Sequence, residues 1–368
     1  MKILQVITEL GAGGAEKVIS ILAEEFGRNG HTVSVISLMG PPENPAIPNR
    51  LKAAGVRITY LNMKKRSVSA ITRLRAAIKN ENPDIVHSHL IHPNILCRLA
   101  LIGTKIPLIN TIHISERRKG KKIFFLLDRL TFHLADMCTA VSNASAEYHC
   151  NMCGLKKNVI RTVYNGINQV PAPSPARIKD FQATFHTEQY AKVIGSIGRL
   201  DYQKGYDLLI ERINALDKRI PRGERWLLLI LGDGPERNTL QTLIDQQHWN
   251  NLDFRLGGFY PDAASLMDLF DVFVMPSRYE GYGLALAEAM TLGLPVVSSD
   301  ADSLPELCAL YHGAHYLVDM TQDTDGETLA EGIFTMANAA RTSGQILQSH
   351  ESMADEYLTL YRQLLERS

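Results

Sequence analysis

The residues best suited to chemistry lie in the second half of the chain. The stretch Pro276-Ser-Arg-Tyr-Glu-Gly-Tyr-Gly-Leu-Ala-Leu-Ala-Glu-Ala-Met290 carries two carboxylates, Glu280 and Glu288, with Gly283 between them. If a helix begins near Gly283, the free N–H groups of Gly283, Leu284 and Ala285 form an anion pocket at its mouth. Glu288 then lies about 7.5 Å along the axis, roughly the reach from a distal phosphate to a ribose. A carboxylate there can accept two hydrogen bonds from a ribose diol. Glu280, in the loop on the far side of the phosphate, meets whatever the phosphate carries. Upstream, Gly198-Arg-Leu-Asp-Tyr-Gln-Lys-Gly205 puts Arg199 and Lys204 on one short loop, a suitable clamp for a diphosphate. Gly232-Asp-Gly-Pro-Glu236 reads as a tight turn that opens a helix, with proline near its start.

The first half offers weaker signals. Gly11-Ala-Gly-Gly14 precedes a helical pattern from Ala15, so its backbone can approach an anion; Glu16 in the first turn can equally well satisfy the helix dipole. His87, His89 and His92 follow an apolar run, and His113 follows another. Four histidines invite a zinc reading, but no fourth ligand in defined geometry accompanies them. Hydrogen bonding at a helix start accounts for His89 and His92, while His113 points into the crevice that a parallel sheet would form. Asp300-Ala-Asp302 has the spacing of a metal-binding pair. With Arg199 and Lys204 supplying positive charge, no metal is needed there, and we expect none. Cys97, Cys138, Cys150, Cys153 and Cys308 read as reduced thiols. Cys150 and Cys153 have redox-motif spacing, but no strand leads into them and no second cysteine pair completes a zinc site.

These residues need a scaffold that gathers strand ends. Lys2–Thr8, Thr32–Leu38, Val56–Tyr60, Asp84–His87, Leu108–Ile112 and Cys138–Val141 are apolar, β-branched runs separated by helical patterns. The second half repeats the scheme with Lys192–Ile197, Trp226–Leu231, Leu252–Leu256, Val272–Met275, Pro295–Ser298 and Ala314–Val318. Alternation of this kind argues for parallel βαβ units covered on both faces, with ligands beyond the carboxyl ends of the strands. Gln169-Val-Pro-Ala-Pro-Ser-Pro175 is the expected boundary between two domains. A length of 368 residues and 45% hydrophobic content suit two cores and exclude a disordered or collagen-like chain.

With those residues in place, the chain resembles the retaining glycosyltransferases of family 4. The resemblance runs through Gly11–Glu16, Asp84–His89, His113, Asn165-Gly-Ile167, Gly198–Gly205, Gly232–Glu236, Glu280–Met290 and Gly293-Leu-Pro-Val-Val297. It implies the α/β GT-B fold: two Rossmann-like, doubly wound parallel-sheet domains facing each other across a cleft. Residues 1–168 would bind the acceptor, 169–349 the nucleotide-sugar donor, and a last helix at about 350–368 would return to the first domain. The roles implied are Arg199 and Lys204 on the diphosphate, Glu288 on the ribose and Glu280 on a hydroxyl of the transferred sugar. His113 would lie beside that sugar, Gly14 would approach phosphate or acceptor, and Gly198, Gly232, Gly283, Leu284 and Ala285 would line the donor. The reaction implied is retaining transfer with no metal and no cofactor, by same-face attack in which the leaving phosphate helps take the acceptor proton. The donor would be a UDP-sugar, with GDP-mannose as the alternative. The acceptor would be a lipid-linked or oligosaccharide intermediate of bacterial lipopolysaccharide, capsule or exopolysaccharide. One departure stands out: Asp302-Ser-Leu304 precedes Pro305-Glu306 where the family commonly has Gly-Gly.

Other classes fit less well. A dinucleotide-dependent oxidoreductase needs a third glycine after Gly11-Ala-Gly-Gly14 and an acidic residue ending the second strand, and neither is present. A nucleotide-sugar epimerase of the same fold would not need Glu280 and Glu288 beside Arg199 and Lys204. An inactive sugar-binding subunit would not need to keep all four.

Formal charge sums to zero, yet residues 1–170 hold 23 basic and 11 acidic residues, and the remainder 16 and 28. The basic excess concentrates at Lys64-Lys-Arg66 with Arg73, Arg75 and Lys79, and at Arg117-Arg-Lys-Gly-Lys-Lys122, which runs into Ile123-Phe-Phe-Leu-Leu127. This reads as a surface segment for an anionic membrane. The alternative is a core-facing helix start beside a solvated basic loop. Nucleic acid is not expected, since no base-stacking aromatic cluster accompanies the charge. With no run long enough to span a bilayer and no apolar export segment, the expected location is cytoplasmic, on the inner face of the membrane.

Overall fold

The computed structural model describes residues 1–11, 13–63, 69–113, 117 and 122–367, the Lys122 side chain excepted. The basic segment Lys64–Arg66, and Arg118, Lys119 and Lys121 of the second cluster, lie outside the described residues. The chain forms two compact units, Met1–Gly166 with Gln348–Ser368, and Ile167–Leu347. The first division falls two residues before the boundary expected at 168/169. At Gly166 the chain meets the returning C-terminal segment, and its N–H donates to Met353 Sδ at 3.2 Å.

In the first unit, β1 (Lys2–Ile7), β2 (Thr32–Ser37), β3 (Arg57–Tyr60), β4 (Ile85–His89), β5 (Leu108–Ile112), β6 (Met137–Ala140) and β7 (Arg161–Thr162) form a parallel sheet. Among the described residues its order is β3-β2-β1-β4-β5-β6-β7. Strands covered on both faces read as continuous apolar runs, and β4 and β5 are buried at every position. The register pairs Ile3 with Ile85 and His89 with Thr111. β4 thus runs two residues beyond the expected end at His87, so His89 belongs to the sheet rather than to a helix start. The two-residue strand β7 carries no apolar periodicity to announce it.

The helix His350–Leu365 completes this unit. Ser349 caps it by accepting from the Ser352 N–H at 3.1 Å. Its apolar stripe packs on the helix Gly14–Arg28, with Tyr361 and Phe26 ring centroids 5.5 Å apart. Arg161 reaches Glu356 at 3.4 Å.

In the second unit, β8 (Lys192–Ile197), β9 (Trp226–Leu231), β10 (Leu252–Gly258), β11 (Val272–Met275), β12 (Val296–Ser299) and β13 (His315–Val318) pair in parallel, in the order β10-β9-β8-β11-β12-β13 among the described residues. Ile194, Leu228, Ile230, Val272 and Val274 share one core with Leu209, Ile210 and Ile333 from the covering helices. Trp226 stacks on Phe334 at 5.7 Å.

Both sheets are doubly wound. Strand order reverses between β1 and β4 in the first unit and between β8 and β11 in the second. Loops on either side of a reversal leave in opposite directions and open a crevice beyond the strand ends. The Gly11–Gly14 loop follows β1, and the loops holding Arg199, Lys204 and Glu280 follow β8 and β11.

Candidate active site

The second unit's crevice is built from the ends of β8, β9 and β11. Beyond β8 the chain makes a short turn, Tyr202–Lys204. Lys204 Nζ then reaches Glu280 Oε1 at 2.5 Å, and both side chains are largely buried. Ser277 Oγ donates to the same oxygen at 2.9 Å, and Gln203 Nε2 lies 3.4 Å from Oε2. The Glu280 N–H donates to Asp302 Oδ2 at 3.2 Å. Asp302 holds a left-handed φ of +48°, a conformation that aspartate tolerates better than most residues. The loop that departs from the family's Gly-Gly therefore supports the glutamate directly.

Arg199 behaves differently from Lys204. Its side chain is 68% exposed, and its nearest carboxylate is Asp201 of its own loop, 3.8 Å away. The two cations of the expected clamp are thus unlike, one neutralised inside the site and one held at its rim. Arg278 is not part of the clamp: it pairs with Asp207 through both terminal nitrogens at 2.6 Å and lies over the Tyr202 ring at 4.1 Å.

Two glycines set how closely the backbones approach. Gly232 has φ +155°, and a Cβ there would sit 1.9 Å from the Gly198 carbonyl oxygen, so the ends of β8 and β9 meet without side chains. Gly283 has φ +90° and is the N-cap of the helix Leu284–Thr291. It contributes no capping side chain, so the first-turn amides around Leu284 and Ala285 face the crevice without a side-chain cap. Glu288 follows in the second turn and is buried, with 8% exposure. A buried carboxylate in line with a helix mouth is the arrangement that the spacing implied.

In the first unit, Glu16 folds back over Gly13, where an added Cβ would lie 2.3 Å from Glu16 Oε2. The mouth of the helix Gly14–Arg28 is therefore occupied by its own carboxylate. His113 stands at the end of β5, its Nε2 2.9 Å from His89 Nδ1. His89 stacks on His87 with ring centroids 4.0 Å apart. Both nitrogens of His87 are engaged, with the Tyr361 hydroxyl and the Thr111 hydroxyl, each at 2.6 Å. Burial drives all three imidazoles towards the neutral form: His113 is pushed down to about 3, and His87 and His89 well below the usual range. His92 lies in the first turn of the helix Ile91–Ala100, edge-on to Phe124 at 4.4 Å. No shared metal geometry links these four.

The sequence did not disclose Ser277, Gln203 and Asp302 as the supports of Glu280. Only Ser277, three residues ahead of it, carried a local hint. The partnership of His89 with His113 depends on the extra length of β4.

The site can therefore hold an anion by a helix mouth and two cations, with buried carboxylates on either side for hydroxyl groups. Residues 12–169 match the family model described as Glycosyltransferase Family 4, and residues 178–336 match Glycosyl transferases group 1. The Escherichia coli O-antigen biosynthesis glycosyltransferase WclY is 26% identical over 258 residues, covering 67% of this chain and 69% of that protein. A Campylobacter jejuni enzyme, GalNAc-alpha-(1->4)-GalNAc-alpha-(1->3)-diNAcBac-PP-undecaprenol alpha-1,4-N-acetyl-D-galactosaminyltransferase, is 26% identical over 330 residues, covering 88% and 83%. The crystal structure of Anabaena HepE in complex with UDP aligns with a TM-score of 0.74 at 19% identity, covering 100% of this chain and 99% of that one.

Proposed function

Because the chain belongs to glycosyltransferase family 4, we propose that it moves a sugar from a UDP-sugar to a lipid-linked or oligosaccharide acceptor in bacterial surface-polysaccharide synthesis, with retention and without a metal. The observation that carries this reading is the buried Lys204–Glu280 pair at the β8/β11 reversal, beside a helix mouth without a side-chain cap that leads to buried Glu288. UDP is the nucleotide in the HepE crystal, WclY works in O-antigen synthesis, and the Campylobacter enzyme's acceptor is carried on undecaprenol.

In this mechanism the diphosphate takes Lys204 Nζ away from Glu280 and draws Arg199 in from the rim. Glu280, held in place by Ser277 and by the Asp302 contact at its amide, is then free to accept from a hydroxyl of the sugar. The amides at Leu284 and Ala285 receive phosphate oxygen, and Glu288 accepts the ribose diol. As the glycosidic bond breaks, charge grows on the departing UDP, where the two cations and the helix dipole stabilise it. The departing phosphate takes the acceptor proton on the face it leaves. Gly14 and His113 serve the substrates from the first unit, with His113 acting as a neutral imidazole.

We further assign membrane association to the helix Lys122–Thr131. Phe125 is buried, but Ile123, Leu126, Leu127 and Leu130 are exposed at helical spacing, with Leu130 at 60%. An outward apolar stripe beside a basic segment suits an anionic leaflet. Among the described residues no helix is long and apolar enough to cross a membrane.

Incubation with UDP-, GDP-, ADP- and dTDP-sugars in EDTA, followed by release of free nucleotide, tests the donor assignment. Slow hydrolysis of a UDP-sugar is expected. Hydrolysis of GDP-mannose alone would move the donor to that alternative, and no hydrolysis of any donor would overturn the reading.

A further inference from the structure

The first unit holds a cluster that sugar transfer does not use. We propose that Asp128, His149 and Cys153 form a binding site for a zinc-class transition metal. His149 and Cys153 are four residues apart on the helix Asn143–Cys153, which puts them on one face. Asp128 projects from the helix Lys122–Thr131 packed beside it. All three side chains are buried.

Three donor atoms converge. His149 Nε2 lies 2.8 Å from Asp128 Oδ2 and 3.4 Å from Cys153 Sγ, and Sγ lies 3.8 Å from Oδ2. Tetrahedral zinc with ordinary bond lengths requires edges of about 3.5 Å to sulfur and about 3.3 Å between nitrogen and oxygen. The sulfur edges are near those values already. The nitrogen–oxygen edge is shorter because a hydrogen bond now spans it, and it widens when a metal replaces the hydrogen.

A nucleophilic triad does not fit, because thiol and carboxylate both approach Nε2 and a triad needs both ring nitrogens. The Cys153 thiol donates to Asp128 Oδ2 at 3.8 Å, a long contact that a metal–thiolate bond would replace.

The surroundings suit a metal. Arg98 Nη1 holds the other carboxylate oxygen, Oδ1, at 2.8 Å, which aims Oδ2 inward. Arg98 is itself buried and fixed by Asn110 Oδ1 at 2.6 Å, so the orienting shell is rigid. Thiolate, imidazole and a single carboxylate favour zinc or cobalt over magnesium or calcium. A pocket of about 220 Å³ lined by Phe125, Leu126, Arg129, Met152 and Cys153 lies beside the cluster and offers an approach to Cys153.

Binding must release the thiol proton, since burial pushes Cys153 up to about 12 without a metal. The hydrogen on Nε2 moves to Nδ1 or leaves with it. Affinity should therefore rise with pH.

The test uses the full chain, stripped with chelator, kept in a non-chelating reductant and titrated with cobalt(II), then zinc(II). Cobalt should bind at one per chain with a thiolate charge-transfer band and the visible bands of a tetrahedral ion, and zinc should displace it. Cys153→Ser should lose the charge-transfer band while keeping its circular dichroism, and Cys150→Ser should retain the band. No charge-transfer band in the wild type would show a hydrogen-bonded network only and overturn the site. So would a band that survives Cys153→Ser.

Discussion

Lys204 and Glu280 hold opposite charges 2.5 Å apart inside the second unit, and each restrains the other until a more negative partner arrives. Arg199, mostly in solvent, has no such restraint. The two substitutions should therefore differ in kind. Arg199→Ala is expected to lower transfer on the order of 100-fold while leaving the thermal midpoint nearly unchanged. Lys204→Ala should lower transfer at least as much and also destabilise the fold by about 1–3 kcal/mol, because a buried carboxylate loses its partner. Steady-state transfer assays with thermal melts check both, and wild-type-like transfer in either variant would refute the clamp. Arg199, Lys204 and Glu280 could be placed together from the sequence because they follow the ends of parallel strands, and Glu288 because its spacing from Gly283 is short-range. Ser277 and Asp302 were not legible: they act on Glu280 through proximity, and the Asp300-Ala-Asp302 spacing suggests only a metal-like pair in a loop near the site.

At the scale of elements, β-branched runs located most strands to within a residue or two. β4 escaped in its last two positions because the polar residues Ser88 and His89 occupy buried sheet sites there, while the hydroxyls that satisfy neighbouring His87 come from β5 and from the C-terminal helix. Those hydroxyls come from residues as far along as Tyr361, a contact that no local pattern foretells. The helix Lys122–Thr131 illustrates the opposite limit. Its sequence allowed both a core-facing and a membrane-facing reading, and the helix divides them, with Phe125 inward and Ile123, Leu126, Leu127 and Leu130 outward. Changing Ile123, Leu126 and Leu130 to serine should leave the fold intact and reduce co-sedimentation with anionic vesicles several-fold, with neutral vesicles binding poorly throughout. Equal binding by wild type and triple variant would remove the helix from the membrane assignment.

Across the whole molecule, acid should act first on the first unit. His87, His89 and His113 stay neutral in the fold well below the usual imidazole range, whereas the unfolded chain binds these protons near pH 6.5. The unfolded state therefore gains protons as pH falls through about 6.5, and stability drops from there towards pH 4. Denaturant midpoints measured at pH 7.5, 6 and 5 should fall in that order, and His113→Gln should flatten the profile. A wild-type profile that is level over this range would contradict neutral burial. Chelation should separate two functions of the chain: EDTA is expected to leave transfer unchanged, because two cations and a helix mouth carry the leaving-group charge. A rate lost in EDTA and restored by manganese would instead assign a catalytic metal to Asp300-Ala-Asp302. The most direct test of the donor site is calorimetric titration of UDP, in EDTA, into the wild type and Glu288→Ala. The wild type should bind, and the variant should bind about 10–100-fold more weakly through loss of about 1.5–3 kcal/mol of ribose contact. Equal affinities, or no binding by the wild type, would contradict the assignment.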